Sequence, residues 1–144
     1  MAEQTYATHR RLVPMYHLVT FFLLVAILVG AAINLWRTIG SGASPYSASL
    51  ILALTVAVFF VYIFARSFAL KAQDRAIRAE EQLRHYVLTG TLPDSRLTVK
   101  QIVGLRFASD GEFVALAKRA ADDHLDPEAI KKAVKSWRPD TYRA

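Results

Sequence analysis

The chain has 144 residues, no cysteine, 53% hydrophobic residues and a formal net charge of +6. Without cysteine there can be no disulfides, thiolate nucleophiles, iron–sulfur ligation or Cys-based zinc sites. Mean hydropathy is only +0.24, but the charges are segregated: residues 18–33 and 38–65 carry none, while residues 66–144 hold 15 of the 18 Lys+Arg and 11 of the 12 Asp+Glu. A single soluble core scatters charge more evenly, so this distribution points to a membrane protein with a polar tail.

Residues 1–15 read as a cytoplasmic N-terminal arm. The first apolar span covers residues 17–36, HLVTFFLLVAILVGAAINLW. Twenty residues at about 1.5 Å each cover the ~30 Å hydrocarbon core of a bilayer. Tyr16 and Trp36 bracket the span, as residues that prefer the headgroup zones do. A cleaved signal peptide, cut after Gly30-Ala31-Ala32, is the competing reading. The stretch overruns the usual apolar region of about 7–15 residues and ends in an interfacial Trp, both of which argue against it.

The Gly- and Ser-rich connection RTIGSGASP, residues 37–45, leads to the second span, residues 46–65. So short a connection makes the spans antiparallel neighbours, a transmembrane hairpin covering residues 16–66. Small residues recur every four positions in each span, as Ala26, Gly30 and Asn34, and as Ser49, Ala53 and Ala57. Such rows let helices approach closely, and these six are the expected helix–helix packing positions; alternatively, Ala and Gly are simply common in membrane spans. Positive residues set the orientation. Arg10 and Arg11 precede the first span, Arg66, Lys71, Arg75, Arg78 and Arg84 follow the second, and the loop offers Arg37 alone. Both termini are therefore expected in the cytoplasm.

Residues 67–89 contain neither Gly nor Pro and consist mostly of strong helix formers. The second helix is thus expected to continue over residues 47–88, a length of ~60 Å, with Thr89-Gly90 and Pro93 as stop signals. Asp74 with Arg78 and Glu80 with Arg84 stand in the favourable i,i+4 order. Phe68, Ala72, Ala76, Ala79, Leu83 and Val87 form an apolar stripe, expected to pack on the tail or on a partner's helix.

Residues 90–144 read as a small bundle of three short helices. Thr98 and Gln101 have capping-box spacing, as do Ser109 and Glu112, while Asp126-Pro127-Glu128 places a cap, Pro at the first helical position and an acid in the first turn. The third helix is expected to set Ile130, Ala133, Val134 and Trp137 on one face and to end at Pro139. Phe68, Leu83, Val87, Ile130, Val134 and Trp137 are accordingly the candidate positions for tail or partner packing. The expected fold is an all-α membrane protein: a two-helix hairpin, an extended second helix and a three-helix cytoplasmic domain.

The segments TYATHRRLVPMYH, LRFASD and AIKKAVKSWRPDTYR resemble, in that order along nearly the whole chain, a small family of uncharacterised two-span bacterial inner-membrane proteins, a domain of unknown function. The resemblance implies two spans with a helical cytoplasmic tail. It implies no activity, substrate or catalytic residue.

Chemical motifs are sparse. Of His9, His17, His85 and His124 only His17 lies near a span; a haem bridged between the spans would want a histidine on each, and the second has none. His17 reads better as an interfacial polar residue, and Thr20 and Asn34 as helix–helix or interface-level hydrogen bonders. With no Asp, Glu, Lys or Arg inside a span, autonomous transport is not expected. Ser109, Asp110 and Glu112 fit a helix cap better than a catalytic cluster, and Asp122, Asp123 and Asp126 around His124 lack the Gly and terminal Glu of a calcium loop. From Asp94 onward the net charge is only +2, too little for a nucleic-acid-reading face. Arg10, Arg11, Arg66, Lys71, Arg75 and Arg78 are the expected contacts to anionic headgroups, at about 1 kcal/mol each near the surface.

The expected function is that of a non-enzymatic inner-membrane protein without cofactor or metal. It would act as an accessory or structural subunit, or as an assembly factor, of a larger bacterial complex, its partners being the bilayer and other membrane subunits or itself. The alternative is a membrane-tethered regulator whose tail binds a signalling protein or nucleic acid.

Overall fold

A computed structural model describes residues 5–8 and 12–140. A short π-helix, Met15–Thr20, leads into α1 (Phe21–Gly40), followed by α2 (Tyr46–Thr89), α3 (Val99–Leu105), α4 (Asp110–Asp122) and α5 (Pro127–Ala133). Contacts divide the chain into two units, residues 11–68 and residues 1–10 with 69–144.

Met15–Gly40, in the first unit, and Tyr46–Thr89, which begins there, are long and apolar enough to cross a membrane, and only 11% of the most apolar stretch of each is buried. The large side chains face outward: Phe22, Leu23, Leu54 and Val61 are all more than half exposed. Helices satisfy every interior backbone group within themselves, which suits such surroundings. The first helix continues one turn past Trp36, and Gly42, at φ +73°, takes the left-handed position in the connection.

Where the helices meet, α1 contributes Leu24, Leu28, Ala31, Leu35 and Thr38, and α2 contributes Ala48, Leu52, Thr55, Phe59 and Tyr62, all buried or half-buried. Both rows step by four and three residues. The ring contacts Tyr16–Tyr62 and Phe21–Phe59 fix the antiparallel register, which puts Leu24 level with Thr55 and Ala31 level with Ala48. Thr55 satisfies its hydroxyl on the Ile51 carbonyl at 2.8 Å. At the end away from the connection, the Tyr16 hydroxyl donates to the Tyr62 carbonyl at 2.5 Å and the Tyr62 hydroxyl donates to the Tyr16 carbonyl at 2.9 Å. Their rings stack with centroids 4.4 Å apart. Each phenol thus finds a partner without water.

The expected packing row is not the observed one. Ala26, Gly30, Asn34, Ser49, Ala53 and Ala57 are all exposed, and a Cβ built on Gly30 meets nothing within 4 Å. Residues four apart drift about 40° round a 3.6-residue helix at each step, whereas alternating steps of four and three stay on one seam. The hairpin uses the second spacing.

In the second unit, Phe107, Phe113, Leu105 and Ile130 are the largest fully buried side chains. They sit in a core with Leu97, Ile102, Leu116, Ala117, Ala120 and Val134. The capping box of α3 forms: Gln101 N–H donates to Thr98 Oγ1 at 3.3 Å and Thr98 N–H to Gln101 Oε1 at 2.8 Å. The buried Gln101 amide also donates to the Leu125 carbonyl at 2.8 Å, tying α3 to the entry of α5. Asp126 caps α5 through Ala129 N–H at 2.7 Å, with Pro127 in the first turn.

Two expectations fail here, for one reason. Ser109 is the N-cap of α4 but makes no side-chain cap bond. Glu112 does not reach back to it; its carboxylate accepts from the backbone N–H groups of Lys135, at 3.1 Å, and Ser136, at 2.9 Å. Those amides lie beyond α5, which ends at Ala133 instead of running to Pro139. Val134 turns to extended geometry. Trp137 then forms an isolated antiparallel bridge with Ala108, carried by Ser109 N–H to Ser136 O at 3.0 Å and Arg138 N–H to Phe107 O at 2.8 Å. Trp137 still reaches the core, its ring 4.8 Å from that of Phe107.

Gly104 marks a close helix contact, since a Cβ there would lie 3.2 Å from the Pro127 carbonyl oxygen. Gly104→Val should therefore destabilise this unit by about 1–3 kcal/mol through overpacking. Urea unfolding of the detergent-solubilised chain, followed by Trp137 fluorescence in a Trp36→Phe background, measures it; an unchanged midpoint would contradict the close approach.

Candidate functional site

The second unit contains a charged cleft of about 350 Å³, lined by Glu80, Glu81, Arg84, Asp110 and Arg138. Its floor is a guanidinium clamp. Arg84 and Glu81, with side chains only 10% and 7% exposed, pair at 2.9 Å. Arg84 Nε donates to Asp110 Oδ1 at 2.7 Å and Nη2 to the Ala108 carbonyl at 2.8 Å. The guanidinium carbon lies 4.3 Å from the centre of the Phe113 ring, adding a cation–π contact. Arg138 approaches the other Glu81 oxygen at 3.6 Å. All three Arg84 nitrogens are therefore engaged, and the cleft holds the end of α2 to the start of α4. His85 adds to this joint: it is buried, with Nδ1 2.8 Å from the Thr91 carbonyl oxygen and its ring edge-on to Phe113.

Sequence spacing assigns Arg84 to Glu80; the structure pairs it with Glu81 and Asp110. Ile77, Glu81, Arg84 and His85 share the face that α2 buries or half-buries. Three of these four are polar, so a search for apolar periodicity passes over them. The available signal is Glu81 and Arg84, opposite charges three apart, beside Ile77 on the flank away from the alanines.

The apolar stripe consequently divides. Phe68, Leu83 and Val87 stay 62–74% exposed because α2 packs through its opposite side, whereas Ile130 and Val134 are buried and Trp137 half-buried. Of the expected lipid contacts, Arg10 and Arg11 lie outside the described residues. Arg66 is half-buried, and Lys71, Arg75 and Arg78 are exposed. His17 is spent locally, accepting from the Val13 N–H at 3.1 Å.

Near His124 each acid has a protein partner. Asp122 binds Arg96 at 2.8 Å and Lys118 at 2.6 Å, Asp123 pairs with Arg119, and Asp126 is the α5 cap. Among the described residues no three His, Asp or Glu side chains are grouped to hold a metal ion. Tyr6 also joins this unit. Its hydroxyl donates to Glu128 Oε2 at 3.0 Å and its ring lies 5.7 Å from Lys132 Nζ.

The network around Arg96 sets an acid limit. The hydrogen bonds from Arg96 hold the Asp94 carboxyl down at about 2. Those from Lys118, then Arg96, lower Asp122 as well.

A sequence model described as a family of unknown function (DUF6526) matches residues 1–144, and the chain belongs to that family. No curated protein matches. No solved structure matches either.

Two measurements follow from this geometry. Arg84→Ala leaves the buried Glu81 with only the more distant Arg138 as counter-ion and should cost about 3 kcal/mol. Asp110→Asn alters the 68%-exposed partner and should cost under about 1 kcal/mol; equal losses in urea unfolding would contradict the clamp. Carboxylates with lowered folded-state pKa stabilise fully above their unfolded value, and that contribution is lost as pH falls through the folded one. Unfolding midpoints should thus begin to drop near pH ~4 and fall further toward pH ~2, with the drop reduced in Arg96→Gln.

Proposed function

We propose that this member of the DUF6526 family is a two-span protein of the bacterial inner membrane with both termini in the cytoplasm. It serves, without catalysis, as an accessory or structural subunit or an assembly factor of a larger complex. The observation that carries this reading is the outward-facing apolar surface of α1 and the first half of α2: side chains such as Phe22, Leu54, Val61 and Phe64, at least half exposed on a lone chain, need lipid or protein around them. Charge supports the orientation, because Arg37 is the one basic residue of the connection while Arg66, Lys71, Arg75 and Arg78 follow the second span. The tail supports a role through contacts. The charges of its cleft are largely committed to one another, and exposed apolar residues run along α2.

The natural absence of cysteine makes labelling direct. The Ser44→Cys variant, altered in the connection, should react with an impermeant maleimide added to intact spheroplasts. Lys100→Cys should react only after permeabilisation. The reverse pattern, or release of the protein from membranes by alkaline carbonate, would overturn the placement. Mild-detergent purification with mass spectrometry tests the subunit role; recovery solely as a monomer would overturn it.

A further inference from the structure

The exposed side of α2 carries an apolar repeat, whereas its buried side is mostly polar. Ala69, Ala72, Ala76, Ala79, Leu83 and Tyr86 step by three and four residues, and all six are exposed. At 100° per residue they cover a stripe about 100° wide, opposite the face of Ile77, Glu81 and His85. Leu83 and Tyr86 are large apolar side chains left 64% and 54% exposed. This is the 3.5-residue period of a two-stranded coiled coil, with Ala69, Ala76 and Leu83 at one core position and Ala72, Ala79 and Tyr86 at the other.

We propose that a second copy of this chain occupies this face, joining two α2 helices as a parallel two-stranded seam over residues 69–86. The partner's identity follows from charge. Arg75 and Glu80 flank the stripe on opposite sides, at the two positions from which coiled-coil helices form interhelical ion pairs. Both are exposed, and among the described residues neither enters an ion pair within the chain. In a parallel twofold pair, Arg75 of each helix faces Glu80 of the other, five residues on, so one sequence supplies both halves of both bridges. An antiparallel pair sets like flanks together and forfeits them. This inference rests on the membrane reading, since copies inserted with the same orientation present α2 in the same direction. Alanines let the helix axes approach closely but bury little area, so two and a half heptads associate weakly in solution. Confinement to one membrane raises the effective concentration of each copy for the other.

The test uses the full-length chain in native membranes and begins from a sequence without cysteine. Ala76→Cys, in the seam, should form a disulfide-linked dimer on mild oxidation, several-fold more than Arg78→Cys, which is exposed but off the seam. Adding Arg75→Glu or Glu80→Arg to the Ala76→Cys chain should lower the yield about five-fold by replacing two attractions with two repulsions. Combining both reversals should restore it. Equal yields at positions 76 and 78, a loss that the double reversal fails to restore, or an adduct with the mass of a different protein would each overturn the seam. Carbonate extraction run in parallel separates the two ideas. A chain retained in the membrane but not cross-linked overturns the seam alone, while release from the membrane overturns the placement and the parallel arrangement with it.

Discussion

Arg84 is a charge held almost out of water, and such a group is tolerated only when its donors are matched. The Glu81 and Asp110 carboxylates, the Ala108 carbonyl and the Phe113 ring face do the matching. Because Ala108 lies between α3 and α4 and Asp110 is the first residue of α4, the same guanidinium fixes where α4 begins. It thereby fixes where Phe113 enters the core and where the bridge between Ala108 and Trp137 can form. Glu112, on the first turn of α4, then gathers the amides of Lys135 and Ser136. One ion cluster thus underlies the order of the second unit from α2 to the last described residues.

The hairpin solves a different problem by different means. In a bilayer there would be no hydrophobic drive for one apolar helix to prefer another over lipid, so packing and hydrogen bonds would have to hold the pair. Ala31 and Ala48 permit close approach near the connection, and the reciprocal tyrosine bonds close the opposite end. The two ends use complementary devices: small volume where the chain already constrains the helices, and polar specificity where it does not.

Much of this is legible in the residues. Uncharged runs of span length, the Thr98–Gln101 box and the Asp126-Pro127 start are local signals, each complete within a few neighbouring positions. The failures are all non-local. Glu112 sits where a capping residue should, yet its partners are 23 and 24 residues away. Trp137 has helical spacing from Ile130, but a backbone bridge to Ala108 offers its segment another set of hydrogen bonds. The small-residue rows of the spans are visible, but which helix face is buried depends on the neighbour's geometry. The charged joint around Arg84 escapes any reading that seeks burial among apolar residues alone.

The contact between Tyr6 and Glu128, residues 122 positions apart in sequence, places the start of the chain and its tail in one folded unit. The hairpin is therefore an insertion within that unit, entered after residue 10 and left before residue 69. If this insertion spans a bilayer, the unit that holds both of its ends lies on one side, and the chain would come back to the leaflet it left. For a membrane-spanning chain that is a rule of parity: the crossings between Tyr6 and the cleft would be even in number. It constrains the path of the chain through contacts made outside the apolar helices, without reference to their hydrophobicity or to the count of basic residues.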